Sequence, residues 1–214
     1  MKKCLFLAAV LLLAASAFAN TEYNNFTGYS DYWHPFGNPN TATYGEVFTS
    51  PNSPDTNLAS FSFFMGSAAA PGDIITGAYI ATWTGSHAGT LLYDSGSFDY
   101  PNTGDAQLTW NPNVTLNPNQ QYVMFLSVSK YYGQSAGEAY VSQGSQINGL
   151  NGFAYYNNGG DFNSLFTNNW DANGLTPNWA VDLQFNNGVP EPGSLVLMGS
   201  GVLGLAGMLR RKLF

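Results

Sequence analysis

The feature that most constrains this chain is a two-residue apolar rhythm that recurs between clusters of Pro, Gly and Asn. In Trp179-Ala180-Val181-Asp182-Leu183-Gln184-Phe185, the residues Trp179, Val181, Leu183 and Phe185 fall on one face, with Asp182 and Gln184 on the other. Successive side chains of a strand point to opposite faces, so this spacing specifies a half-buried strand. Ala59, Phe61, Phe63 and Met65 form a second inward row, with Ser60 and Ser62 facing away. Ala106, Leu108 and Trp110 alternate with Gln107 and Thr109. The run 122–129 is apolar on both faces at first and polar later, as a central strand would be. Further strands are expected at 44–49, 74–84, 90–94, 138–142 and 153–156. No segment of this body shows a convincing helical period. Many short strands separated by turn residues predict an all-β fold, a single antiparallel β-sandwich of jelly-roll-like type over residues 20–188. No fixed-period internal repeat is visible.

The body has the means to fill such a sandwich, because the chain carries 15 Phe, 13 Tyr and 5 Trp. Charged residues make up only 9% of the chain. Between the two ends Lys130 is the sole Lys or Arg, whereas every Asp and Glu except Glu191 lies there. A surface of that sign repels phosphates and anionic headgroups, which excludes nucleic acid and acidic lipid as partners of the body. Cys4 is the single cysteine and sits in the N-terminal leader, so the mature body has no disulfide, thiol nucleophile or thiolate metal site.

Both ends read as addresses. Lys2-Lys3, an apolar run from Cys4 to Ala15, and Ala17-Phe18-Ala19 before Asn20 make a secretory signal peptide over residues 1–19. Cleavage is expected after Ala19, with Ala17 and Ala19 as the small residues of the site and Asn20 as the new N-terminus. At the other end, over 189–214, Val189-Pro190-Glu191-Pro192 leads through Gly193-Ser194 into an uncharged apolar segment at 195–209. Arg210-Arg211-Lys212 follow. As a transmembrane helix, 193–209 is roughly 25 Å long at about 1.5 Å per residue, marginal for a bilayer core of about 30 Å. The basic triplet should stay cytoplasmic, leaving the body outside. The prolines keep the approach extended, in a form a protease can bind as a strand.

At Pro190-Glu191-Pro192, the apolar segment and the basic end, the sequence resembles the PEP-CTERM sorting signal of exported bacterial proteins. While the N-terminal signal implies signal peptidase, that resemblance implies processing by exosortase, a membrane cysteine protease. It also implies export across an inner membrane, with a transient or permanent C-terminal anchor. The destination it implies is the cell surface or medium, with association to biofilm or exopolysaccharide. More loosely, the body resembles β-sandwich domains of other exported bacterial proteins with this tail. The stretches that carry this are Ala42–Phe48, Leu58–Phe63, Ala78–Trp83, Leu91–Ser95 and Gln121–Leu126. No activity comes with that likeness.

The remaining constellations are weighed by context. Gly133-Gln134-Ser135-Ala136-Gly137 matches G-x-S-x-G, but a nucleophile elbow needs a strand before it and a helix after it, and strand-like residues follow instead. His34 and His87 lie in Pro/Gly-rich stretches without a third metal partner. Asp94, Asp99 and Asp105, or Asp161 and Asp171, supply carboxylates without marking the facing pair a glycosidase needs. Calcium is the one cofactor with support: Asp161, Asp171 and Asn173 offer oxygen ligands in turns, though without a complete binding loop. Trp33, Trp170, Tyr131, Tyr132, Tyr155 and Tyr156 sit in or beside Asn/Gly-rich loops, where flat rings can meet a polysaccharide. Trp83, Trp110 and Trp179 are expected in the core instead. The adjacent tyrosine pairs should each turn one ring outward if they lie on strands. These readings point to a non-catalytic surface or matrix protein. A carbohydrate-binding module is the alternative, and a glycan-active hydrolase a third reading.

Overall fold

The alternating segments become strands in the computed structural model, which describes residues 20–26, 32–52, 54–100, 105–172 and 178–187. Within that range the side chains of residues 32–34 and Ser67 are not described. In chain order the strands are β1 (Thr21–Asn24), β2 (Tyr32–Gly37), β3 (Thr43–Thr49), β4 (Asn57–Ala70) and β5 (Ile74–Trp83). Then come β6 (Ala88–Asp94), β7 (Phe98–Tyr100), β8 (Ala106–Trp110), β9 (Val114–Thr115) and β10 (Gln121–Ser127). The last four are β11 (Glu138–Gly144), β12 (Leu150–Tyr156), β13 (Asn178–Trp179) and β14 (Val181–Asn186). Among the described residues the only helical segments are two short 3-10 turns, Ser129–Tyr131 and Phe162–Phe166. None is long and apolar enough to cross a membrane.

The strands form two antiparallel sheets, of eight and six strands, packed as a sandwich. Long β4 is the spine of the first sheet. One of its edges pairs with β14 and then β11, the other with β9 and β8. Strand β1 adds to β14, while β2 and β13 add to β11. The second sheet runs β12-β3-β10-β5-β6, with β7 continuing along β5. All of this lies within one compact unit, Asn20–Asn187.

Alternation then decides what is buried. On β14, Val181, Leu183 and Phe185 are fully buried and Asp182 and Gln184 half-buried, as the sequence predicts. On β4 the prediction needs one correction. The pairing with β14 shifts between Gln184↔Ser60 and Phe185↔Leu58, so Ala59 is an extra residue on β4. Such a bulge reverses the side-chain parity, and Leu58 takes the inward place expected for Ala59. Phe61, Phe63 and Met65 point inward as expected.

Two hydrophobic clusters result. The larger fills the space between the sheets and centres on Trp179. This ring packs 4.3 Å from Phe63 and donates Nε1–H to the Phe64 carbonyl at 3.0 Å. The smaller lies on the outer face of the six-stranded sheet, over Val47, Tyr79, Ala81, Trp83, Val123 and Phe125. Strand β10 serves both, sending Tyr122, Met124 and Leu126 to one cluster and Val123 and Phe125 to the other. Residues 157–172 fold back over that outer face and seal it with Leu165 and Trp170.

Close approach explains one glycine. A Cβ at Gly144 would collide with the Asn25 side-chain amide. Asn25 itself is buried and acts as a substitute peptide group. Its Nδ2 donates to the Trp179 carbonyl at 2.9 Å, and its Oδ1 accepts from Val181 N–H at 2.8 Å. It joins the end of β1 to the β13–β14 junction, where the regular ladder is broken.

Candidate functional site

Strand register sorts the molecule into two poles. Thr21 pairs with Phe185 and Asn57 with Asn186, so both chain ends of the unit leave at one pole. Gln121 pairs with Thr49 and Leu150 with Phe48, which puts the loops 50–56, 116–120 and 145–149 at that same pole. Amides dominate here. An open cleft of about 340 Å³ is lined by Asn117, Asn119, Gln120 and Gln121 with Thr82 and Thr84, and another of about 590 Å³ by residues 146–151.

The far pole gathers the loops 38–42, 71–73, 95–97 and 128–137. Thr43 pairs with both Ser127 and Tyr156, and Glu138 with both Gly37 and Ala70. Tyr131, Tyr132, Tyr155 and Tyr156 therefore all lie at this end, each half-buried. Tyr131 and Tyr132 stand at the end of a 3-10 turn instead of on a strand, which corrects the strand-based expectation for that pair. The expectation holds for the second pair, on β12, where Tyr155 packs against the inter-sheet cluster and Tyr156 against the outer one.

The tyrosine turn is held by side chains that find backbone partners. Asn38 Nδ2 donates to the carbonyls of Tyr132 and Ser135, at 2.8 and 2.9 Å. Tyr155 O–H donates to Asp171 Oδ2 at 2.7 Å. A buried hydroxyl chain ties β3 to β10 and the neighbouring loop. Thr43 Oγ1 lies 2.7 Å from Ser127 Oγ and donates to Asn158 Oδ1 at 2.9 Å. Lys130 Nζ is 2.5 Å from Asp94 Oδ2 and stands 4.3 Å above the Phe162 ring. The one cation of the body is thus a structural latch, which its solitary place in the sequence did not disclose.

Other predicted residues fall elsewhere. Trp170 is 5% exposed, donates Nε1–H to the Leu165 carbonyl at 2.9 Å, and belongs to the outer cluster. Its loop folds onto the sheet, so this ring is not a surface platform. Trp33 lies on β2, and its side chain is outside the described residues. Asp161 Oδ1 accepts from Ser164 N–H at 3.2 Å, capping the second 3-10 turn. Asp171 takes the Tyr155 hydroxyl. Asn173, the cleavage-site residues Ala17 and Ala19, and the sorting residues Val189, Pro190, Glu191, Pro192, Arg210, Arg211 and Lys212 lie outside the described residues. Asn20 is exposed just ahead of β1.

Ser135, the central residue of G-x-S-x-G, is 2% exposed. It sits between a 3-10 turn and β11, its N–H bonded to the Tyr131 carbonyl at 3.0 Å. This is not a nucleophile elbow. His87 contacts its neighbour Ser86 at 3.1 Å. Among the described residues no group of three or more His, Cys, Asp or Glu comes together in a way that could hold a metal.

Sequence reading missed Glu46, because a lone carboxylate in an apolar strand leaves no signature of its partners. It is fully buried between the sheets. Oε1 accepts from Gly152 N–H at 3.0 Å, and Oε2 from Trp179 N–H at 2.8 Å. Burial pushes its carboxyl well above the usual carboxylate range, against the opposing pull of the two N–H groups. Burial also raises the Tyr44 hydroxyl, to about 12.

Residues 188–212 match the family model of the PEP-CTERM protein-sorting motif. The chain carries a PEP-CTERM sorting tail. That motif implies an exported protein with a C-terminal membrane-anchored sorting step toward the cell surface, processed by exosortase. Among curated proteins none matches this sequence. Among solved structures it is similar to the cysteine protease and lectin-like domains of Cwp84, a surface layer associated protein of Clostridium difficile. The identity is 11%, with 78% of this chain and 36% of that one covered and a TM-score of 0.49. A second structure, a clostridial cysteine protease Cwp84 after propeptide cleavage, shares 10% identity over 78% of this chain and 40% of that one, with a TM-score of 0.47. The chain thus spans less than half the length of either.

Proposed function

We propose that this is a non-catalytic cell-surface or matrix protein associated with extracellular polysaccharide, exported and then sorted through its PEP-CTERM tail. The sorting motif at 188–212 carries this reading. The engagement of the body's carboxylates supports the non-catalytic part. Asp94 is paired with Lys130, Asp161 caps a turn, Asp171 accepts a tyrosine hydroxyl and Glu46 accepts two backbone N–H groups. The test is the intact mass of the protein recovered from membranes and from medium. Material in the medium lacking the residues beyond Pro190-Glu191-Pro192 is expected. A full-length tail confined to the membrane fraction would show a permanent anchor and overturn release.

A second reading, a carbohydrate-binding sandwich, is favoured by the gathering of Tyr131, Tyr132, Tyr155 and Tyr156 at one pole. Half-exposed rings with neighbouring amides and hydroxyls are suited to stacking and hydrogen bonding on sugars.

A further inference from the structure

We infer that the glycan-facing surface is the pole opposite the chain ends, around Tyr131, Tyr132 and Tyr155, and that it takes a neutral polysaccharide; this rests on the carbohydrate-binding reading. Connectivity makes the first argument. Strand β1 starts beside the end of β14, so the chain enters and leaves the unit at one pole. The tyrosines lie at the opposite pole from Asn20 and Asn187, the two points at which the rest of the chain joins this unit.

Packing makes the second. The facing surfaces of the two sheets are spent on each other, and residues 157–172 cover the outer face of the six-stranded sheet. The outer face of the eight-stranded sheet is lined with Ser60, Ser62, Gln107 and Thr109, and its Phe64 ring is capped by Phe26 at 3.6 Å. At the far pole, by contrast, the rings are half-exposed and already fixed in place. Asn38 holds the Tyr132 backbone, the Tyr132 hydroxyl donates to the Pro39 carbonyl at 3.4 Å, and Asp171 holds the Tyr155 hydroxyl. Rings held before binding lose little freedom on contact, which favours affinity.

Charge selects the polymer. Asp73, Asp94, Asp99 and Asp161 are exposed on the strand ends and loops of this pole, and Glu138 is half-exposed. Lys130 is the cation among them, and it is engaged by Asp94 and the Phe162 ring. A uronate- or sulfate-bearing chain meets like charge here, whereas a neutral hydroxyl-rich chain does not.

Residues 20–187 enclose both hydrophobic clusters and serve for the test. Native gels are cast with a soluble neutral β-glucan, a neutral α-mannan, or alginate, and retardation is measured at low salt. Retardation by at least one neutral polymer and not by alginate is expected. Tyr132→Ala should weaken it about tenfold, a typical effect of truncating an aromatic anchor. A Cβ at Gly133 would meet nothing within 4 Å, so the backbone there admits a side chain, and Gly133→Trp adds bulk beside the tyrosines. It should block retardation with the melting temperature unchanged. Gln146→Trp, an exposed site at the other pole, should leave retardation intact. Binding lost with Gln146→Trp but kept with Gly133→Trp overturns the location, and preferential retardation by alginate overturns the ligand class. In either case the carbohydrate reading still stands. No retardation by any polymer overturns that reading and this inference together.

Discussion

The six-stranded sheet is buried on both faces, but by unlike means. Its inner face meets a second sheet of regular strands, through rows such as Tyr44 and Phe48, or Tyr122, Met124 and Leu126. Its outer face is covered by residues 157–172, whose only regular structure is a 3-10 turn. Behind the inner contact, each facing sheet is knitted by ladders along its strands. The outer cover is pinned at separate points: Trp170 N–H to the Ser86 carbonyl at 2.8 Å, a backbone pair between Tyr155 and Asp171, side-chain bonds from Tyr155 to Asp171, from Asn168 to Tyr156 and from Thr43 to Asn158, and Lys130 over the Phe162 ring. Equal dryness therefore does not mean equal cooperativity. The inner core is expected to open only with the whole domain, and the cover, attached at separate points, to open on its own.

The sharpest test of this contrast is Trp179→Ala. Removing the central ring and its hydrogen bond should cost about 5 kcal/mol, the upper end for a buried aromatic truncation. The denaturation midpoint should fall, with one cooperative transition. Trp170→Ala should cost about 3 kcal/mol, the lower end. In hydrogen exchange it should expose amides of 157–172 while β3 and β10 stay protected. Loss of protection throughout the sheet would break the comparison.

Glu46 probes the inner side through chemistry. Glu46→Gln leaves one of two buried N–H donors without an acceptor and should cost about 1–3 kcal/mol in denaturant titrations. The pH dependence carries a sign. The folded carboxyl titrates above its ordinary value of 4.5, so the native state keeps a proton that the unfolded chain has already released. Stability should then be greatest below about 4.5 and fall as pH rises through the folded value. Half-buried Asp182, raised chiefly by burial, adds a contribution of the same sign. In Glu46→Gln this alkaline loss should flatten, and an unchanged slope would remove Glu46 as its source.

Lys130→Ala removes the latch between Asp94 and the cover residue Phe162. The pair is about a third exposed, so roughly 0.5–1 kcal/mol is expected, diminished by salt. The smallest effect concerns calcium. Because Asp161 and Asp171 already accept protein hydrogen bonds, chelation with EDTA should leave the melting temperature unchanged. A drop of several degrees would instead mean that a cation holds the cover.

Most strands were legible in the sequence, since a face buried in a core forces period-two alternation on whatever strand supplies it. β14 and β8 show this at its clearest. Short pieces such as β1, β7 and β9 were not legible, because two to four residues are too few to display a period. The candidate site was legible only by residue type. Paired tyrosines beside Asn/Gly loops marked themselves out, yet Trp170 had the same local context and turned inward.

By itself the sequence determined the class of fold, the acidic, cation-poor body and the sorting tail, all of which depend on local pattern and composition. Tertiary structure decided which rings are covered, that both chain ends share a pole, and that Glu46 is held between sheets by Gly152 and Trp179. Those outcomes depend on contacts between residues distant in the chain, such as Thr21 with Phe185, Glu46 with Trp179 and Trp170 with Ser86, to which local pattern is blind.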